Sequence, residues 1–328
     1  MVGIDLLVIA AFLDEQMIRM CFANTSRSRR IVIGSPLKTS SPSSRAFGLQ
    51  KSSKAEEKRA QKMFHSRKTS RVPGRTHFGP MQALILLLLM LPLAATAQQK
   101  VLVYTRNFTS SGKGYVHDNI AASVAAIRKM GNEKGFVVDV SDDPSQFTLQ
   151  NLKQYAALVF SNSNNEAFSD EAQRSAFKGY IESGGGFVGI HSASGSERNW
   201  PYFSSVLGGR FAAHPKMQAF SVRVVDPEFP AAKSLPPEFQ WTDECYFIDH
   251  LRPDLHFILV TDRSKLAALE AMKIDVGSFP NPLPLAWYHE FDGGREFYLA
   301  LGHNKEEYAN PILYGIIENG ILWAIKAK

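Results

Sequence analysis

Seven histidines follow residue 100: His117, His191, His214, His250, His256, His289 and His303. Imidazole suits proton transfer near neutral pH and is the commonest metal ligand. Three of the seven stand directly after apolar runs. His117 lies between the run 101–105 and a helix-like stretch, His191 closes the run 186–191, and His303 follows the run 296–302. If these runs are strands of one parallel sheet, three imidazoles reach the same edge, together with Asn162 after the run 156–161. With a carboxylate they would form a metal site or an acid/base centre. Asp243 and Glu244, in Trp241-Thr242-Asp243-Glu244-Cys245-Tyr246, are the candidates. Neighbours on a strand point to opposite faces, so these two are not expected to act as a flanking pair. His214 follows Gly208-Gly209-Arg210-Phe211, a loop that could fold over the edge and add a fourth imidazole ligand. His250 and His256 are expected to be structural or solvated, and His289 stays open. Trp241, Tyr246 and Trp287 offer either a stacking platform for a ring substrate or core packing.

Other chemistries lack their residues. There is no phosphate-binding G-x-x-x-x-G-K-[ST] loop and no H-E-x-x-H. Gly184-Gly185-Gly186 precedes a strand-like run, so it reads as a helix terminator and not as a dinucleotide fingerprint; no nucleotide cofactor is expected. No G-x-S-x-G appears. Where a strand-to-helix elbow would carry a nucleophile the chain has His191, with Ser192 next to it, which disfavours a Ser or Cys mechanism.

The elements that must position these residues alternate in the α/β manner. Strands are predicted at 101–105, 136–140, 156–161, 186–191 and 296–302. Helices are predicted at 117–130 and 147–155, after Ser169 as N-cap, and as a closing amphipathic helix over 311–325. Continuous apolar runs suit a parallel sheet covered on both faces. Residues 210–291, rich in Pro and aromatics, read as an excursion of antiparallel strands, with runs at 220–225 and 257–261. In such open sheets ligands bind beyond the carboxyl ends of the strands.

The chain has 328 residues, 45% hydrophobic and 21% charged, which is ordinary globular composition. Its net charge of +6 is unevenly spread. Residues 1–80 hold 15 Lys and Arg against 5 Asp and Glu, residues 81–97 hold none, and the remainder has 22 basic and 26 acidic residues. The body is therefore mildly acidic, and no nucleic-acid partner is expected. The leader, 1–80, lacks apolar periodicity and reads as an unstructured basic tail or a gene-start artefact. Leu84–Leu91 is an apolar run of secretory length, followed by Pro92 and the small-residue pattern Ala95-Thr96-Ala97. This predicts a signal peptide over 81–97, an exported (periplasmic or secreted) protein without a stable membrane anchor, and a domain over 98–328. Cys245 is then the only cysteine of the body, so no internal disulfide is expected.

The body resembles the trehalose-utilisation, or ThuA-like, family. The resemblance is carried by His117-Asp118-Asn119, the segment Gly184–Ala193, Gly208-Gly209-Arg210-Phe211 with His214, Trp241–Tyr246, Pro284-Leu285-Ala286-Trp287 and Leu301-Gly302-His303. It implies a flavodoxin-like fold akin to class I glutamine amidotransferases. Those enzymes have a Cys at the elbow where this chain has His191, so glutaminase activity is not implied. The substrate class it implies is a disaccharide or keto-glycoside. The expected catalytic residues are His117, His191, His303 and Glu244. Asn162, Asp243, Tyr246, Trp241 and Trp287 are expected to bind substrate. In one version a divalent metal ion is held by His117, His191, His214 and His303; in the other the histidines work without metal. Either would serve a hydrolase, lyase or isomerase acting on a small-molecule carbohydrate. The alternative is a non-catalytic carbohydrate-binding or accessory module.

Overall fold

The computed structural model describes residues 98–326; the basic leader, 1–80, and the export-signal stretch, 81–97, lie outside the described residues. Strands and helices alternate at first: β1 (Lys100–Tyr104), α1 (Ile120–Lys134), β2 (Val137–Ser141), a single turn α2 (Leu149–Leu152), β3 (Tyr155–Ser161), α3 (Glu171–Glu182), β4 (Gly186–Ile190) and α4 (Pro201–Leu207). The excursion follows as β5 (Arg210–Ala213), β6 (Gln218–Val224), β7 (Glu238–Asp243), β8 (Phe247–Asp249), β9 (His256–Thr261) and β10 (Leu283–Phe291). The chain then returns through β11 (Gly294–Leu299) and ends in α5 (Pro311–Ile325).

Nine strands form one sheet in the order β2-β1-β3-β4-β11-β10-β9-β6-β7, and β5 pairs with β8 in a small second sheet. The first five strands in that order run parallel, and the pairs from β11 to β7 are antiparallel. This is a flavodoxin-like parallel sheet with an antiparallel extension. Its strand order reverses between β1 and β3, which leaves a crevice outside their carboxyl ends.

Both faces are covered, which explains the continuous apolar runs. Along β1, Val101 and Val103 pack into the core shared with α1 and α5, while Leu102 and Tyr104 join Phe177 of α3 and Phe203 of α4 on the other side. The β4 strand passes so close to α5 that a Cβ on Gly186 would lie 2.4 Å from the Ala324 carbonyl oxygen. Gly186→Ala must push a packed helix off the sheet, which typically costs about 1–3 kcal/mol. Urea unfolding should show a lower midpoint with an unchanged slope.

Several expected boundaries shift. The helix predicted from His117 starts at Ile120, and Asp170 caps α3 in place of Ser169, its carboxylate accepting the Gln173 N–H. The helix predicted at 147–155 is one turn, because Tyr155 already belongs to β3. The strand predicted at 296–302 begins at Gly294 and stops at Leu299, freeing 300–303 to turn into the crevice. The closing helix has the predicted span but is apolar almost all round, since it is buried against β3, β4 and β11. Among the described residues no helix is long and apolar enough to cross a membrane.

Candidate functional site

Beyond Ile190 the chain turns sharply. His191 adopts a left-handed backbone conformation (φ 50°) and opens a 3-10 stretch, His191–Gly195. Such a conformation costs energy in a residue with a Cβ and concentrates at functional sites. It projects the imidazole above the carboxyl end of β4. His191 Nδ1 lies 2.8 Å from the Ala300 carbonyl oxygen. That oxygen can only accept, so Nδ1 carries the hydrogen and Nε2 presents its lone pair to the crevice.

Three other groups meet it there. His117, from the loop after β1, places its Nε2 3.2 Å from His191 Nε2. Glu244, directly after β7, brings Oε2 to 3.7 Å from the same nitrogen. His303, beyond β11, sets Nδ1 3.1 Å from Glu244 Oε2, though without the angle of a good hydrogen bond. One donor atom from each of His117, His191, Glu244 and His303 lies within 4.8 Å of all the others. His214 stands outside this group of four, on the rim, with Nε2 3.6 Å from Glu244 Oε1 and Nδ1 donating to its neighbour's carbonyl, Pro215 O.

Environment divides the histidines. Burial pushes His117 down to about 4, and the nearby charge of His303 adds to this. Burial, then His117, holds His191 well below the ordinary imidazole range. His303 is raised by its contact with Glu244. Burial alone would raise Glu244, but the contact with His303 and the charges of the surrounding histidines outweigh it and lower its pKa.

Three imidazoles and one carboxylate are a suitable donor set for a divalent cation such as zinc, manganese or iron. The Nδ1–H bond from His191 to Ala300 O is the outer contact that fixes the tautomer of a ligating histidine. With bonds of 2.0–2.1 Å, tetrahedral ligands are about 3.4 Å apart. The widest separation here, 4.8 Å, therefore requires the side chains to draw inward.

Asp243 sits beneath the centre, fully buried. Its carboxylate accepts the N–H groups of Gly302 (2.7 Å), Glu244 (2.7 Å) and His303 (3.3 Å) and the Trp241 indole N–H (3.3 Å). Burial still raises it to about 6. Its role is to fix the backbone that carries Glu244 and His303. Asp243→Asn would turn an amide N–H₂ toward N–H groups and leave at least one buried donor unpaired. A stability loss of about 2–4 kcal/mol is expected, measured by urea unfolding.

Asn162, expected to bind substrate, lies one layer lower. Its amide donates to Tyr308 Oη and accepts from Asn119, whose own N–H₂ also reaches the carbonyls of Gly302 and His303. Together they tie the ends of β3 and β11 to the start of α1. Trp241 and Trp287 form no stacking platform. Trp287 is fully buried against Tyr298 and donates to Leu207 O, and Trp241 packs beside Phe239. Tyr246 does reach the site. Its ring stacks on His191 with centroids 4.4 Å apart, and its hydroxyl donates to His191 Nε2 at 2.8 Å. His289 is a core residue whose Nε2 meets Val206 O, while His250 and His256 are exposed beside Asp249 and Tyr288.

A cavity of about 310 Å³ opens over the centre, lined by His117, His214, Glu244, Tyr246 and His303. Its remaining wall includes Tyr115, Asn164 and Arg198, which sequence reasoning passed over. The run Asn162-Ser163-Asn164-Asn165, polar directly after a buried strand, was the available signal for Asn164. Ser192 also lines the cavity, and its buried hydroxyl has no hydrogen-bond partner within the protein.

The profile of a family named ThuA and described as trehalose utilisation matches residues 100–324. Among solved structures, a ThuA-like protein from Bacteroides uniformis is 24% identical, covering 69% of this chain and 91% of its own, with a TM-score of 0.54. A second, from Parabacteroides merdae, is 18% identical over 70% of this chain and 91% of its own, with a TM-score of 0.53. A glutamine amidotransferase from Thermotoga maritima is 12% identical over 70% and 99%, with a TM-score of 0.42. No curated protein matches the chain significantly.

Proposed function

Since the chain belongs to the ThuA, or trehalose-utilisation, family, we propose that it is an exported carbohydrate-active enzyme working on a disaccharide or keto-glycoside. The observation that carries this reading is the convergence of His117, His191, His303 and Glu244 on one point, with His117, Glu244 and His303 lining a cleft above it. Export rests on the apolar run and small-residue cleavage pattern of 81–97.

These four side chains would hold a divalent cation. An ion held there would supply Lewis acidity toward a sugar carbonyl or hydroxyl. The chain supplies the rest. His214, outside the ligand set and on the cavity wall, is placed to move a proton to or from the carbon beside the carbonyl or a water. The unspent Ser192 hydroxyl is a hydrogen-bonding group for sugar oxygens, and the Tyr246 phenol, which burial keeps protonated, would join it once a cation takes His191 Nε2 from its O–H. A glycosidase of the two-carboxylate type would need a second acid flanking the bond. Asp243 is enclosed by four N–H donors and does not provide it.

The test is metal analysis of the purified protein combined with turnover of keto-glycosides. Bound divalent metal and turnover abolished by His191→Ala and His303→Ala are the expected results. A metal-free protein that binds sugar but does not turn it over would instead establish an accessory binding module.

A further inference from the structure

Arg198 stands at the rim of the cavity over the histidine–glutamate centre, and three features hold it there. Its Nη2 donates to Asn164 Oδ1 at 3.1 Å. Its guanidinium carbon lies 5.4 Å from the centroid of the Phe211 ring. A Cβ on Gly195 would lie 2.4 Å from Asn164 Oδ1 and 2.9 Å from Arg198 Nη2, so the arginine and the amide can meet where they do only beside a glycine. Asn164 is itself buried, and its Oδ1 also accepts the Asn165 N–H at 2.9 Å. Fixing so long a side chain costs rotamer entropy that a surface arginine ordinarily keeps.

The position is specified, but the charge is left unanswered. Among the described residues the guanidinium has one hydrogen bond, to that neutral amide, and no ion pair. The neighbouring arginines differ. Arg210, whose Nη1 donates to the Arg198 carbonyl, pairs with Asp249 at 3.0 Å. Arg174 pairs with Glu171 at 2.6 Å and with Glu197 at 2.8 Å. Glu197, adjacent to Arg198 in sequence, is thus spent on Arg174 and on the Phe168 N–H. Glu244, the carboxylate on the same cavity wall, is turned to His303 at 3.1 Å and His214 at 3.6 Å. Burial lowers the pKa of Arg198, with Tyr246 opposing the shift and Arg210 adding to it. A guanidinium stays protonated all the same, so a partly desolvated positive charge borders the cleft.

An arginine fixed in place with N–H groups to spare suits the paired oxygens of one anionic group. We propose that Arg198 binds an acidic substituent, a carboxylate or a phosphate, on the sugar that enters this cavity. The unpartnered Ser192 hydroxyl lines the same cavity and offers a further donor. The proposal rests on the carbohydrate reading above and narrows it to acidic sugars.

The experiment is calorimetric titration of the full-length chain with two pairs of probes. Methyl glucuronide against methyl glucoside reads a carboxylate, and glucose 6-phosphate against glucose reads a phosphate. In one pair the acidic sugar is expected to bind at least about tenfold tighter than its neutral partner, and the pair that shows this identifies the acid. Arg198→Gln should bring that ratio close to one. Arg198→Lys, which keeps the charge without the planar fork, should keep part of it. Raising the salt from about 0.05 to about 0.5 M should shrink the wild-type ratio, because a charge at the rim is screened. Equal affinities for acidic and neutral sugars in the wild type would overturn the anion site and leave the carbohydrate reading standing. A preference that survives Arg198→Gln would do the same, since the acid would then be held elsewhere. Failure of all four sugars to bind the wild type would overturn the carbohydrate reading and this proposal together.

Discussion

Replacing His191 with Ala is expected to lower the affinity for a divalent cation by at least about 100-fold. Removing a partner that merely orients a ligand typically costs 10–100-fold, and His191 is itself a ligand in the proposed centre. Its Nε2 is also the atom approached by His117 Nε2, Glu244 Oε2 and the Tyr246 hydroxyl. Without that nitrogen the remaining three donors come from separate loops, and only His303 and Glu244 still touch, at 3.1 Å. Competition titration of metal-stripped protein against a chromophoric chelator gives the affinity. Thermal unfolding without metal separates loss of a ligand from loss of folding. Wild-type affinity in the variant would show that the four groups do not act as one centre.

The second large effect concerns a residue far from this chemistry. Glu296, on β11, is 1% exposed, and burial is the main cause that raises its carboxyl from 4.5 to about 9. Glu290 and Asp292 raise it further, while the Phe291 backbone and Arg252 offset part of the shift. The folded protein therefore keeps a proton that the unfolded chain releases. Below about pH 4.5 both states are protonated and the group costs nothing. Between pH 4.5 and 9 the unfolded state is favoured increasingly, so stability falls as pH rises, and above 9 the loss levels off. Glu296→Gln removes this dependence. At pH 7 the variant should be more stable by about 1–3 kcal/mol, a value reduced from the full linkage for partial relaxation of the site. At pH 4.5 no gain is expected. Urea midpoints at pH 4.5, 7 and 8.5 check this, and parallel pH profiles for both proteins would contradict the assignment.

The fold was legible because its signals were periodic. Buried parallel strands leave continuous apolar runs, and 156–161 and 186–191 marked β3 and β4 to within a residue. The imidazoles were legible because they stand at the ends of such runs. Trp241 and Trp287 were not, since an aromatic residue beside a polar motif looks the same whether it faces a ligand or the core. Asn162 was misassigned for a related reason. Its place at the strand edge was right, but depth below the edge depends on Asn119 and Tyr308, which lie far away in sequence. Arg198 gave no signal, because a single Arg in a loop has no periodicity to read. The burial of Glu296 was equally hidden, a lone acid in an otherwise apolar strand being ordinarily exposed.

Glu244 follows β7, the terminal strand of a row of nine, whereas the histidines follow β4 and β11 at its middle and β1, second from the opposite edge. The sheet must curl until its last strand returns over its centre, where Asp243 clasps Gly302 and Asn119 reaches the same glycine across 183 residues. Such remote closures form late and slowly. A nascent polypeptide thus has no complete donor set until nearly all of it has emerged, and cation occupancy would be a sensor of finished folding that stabilises only the mature form by mass action.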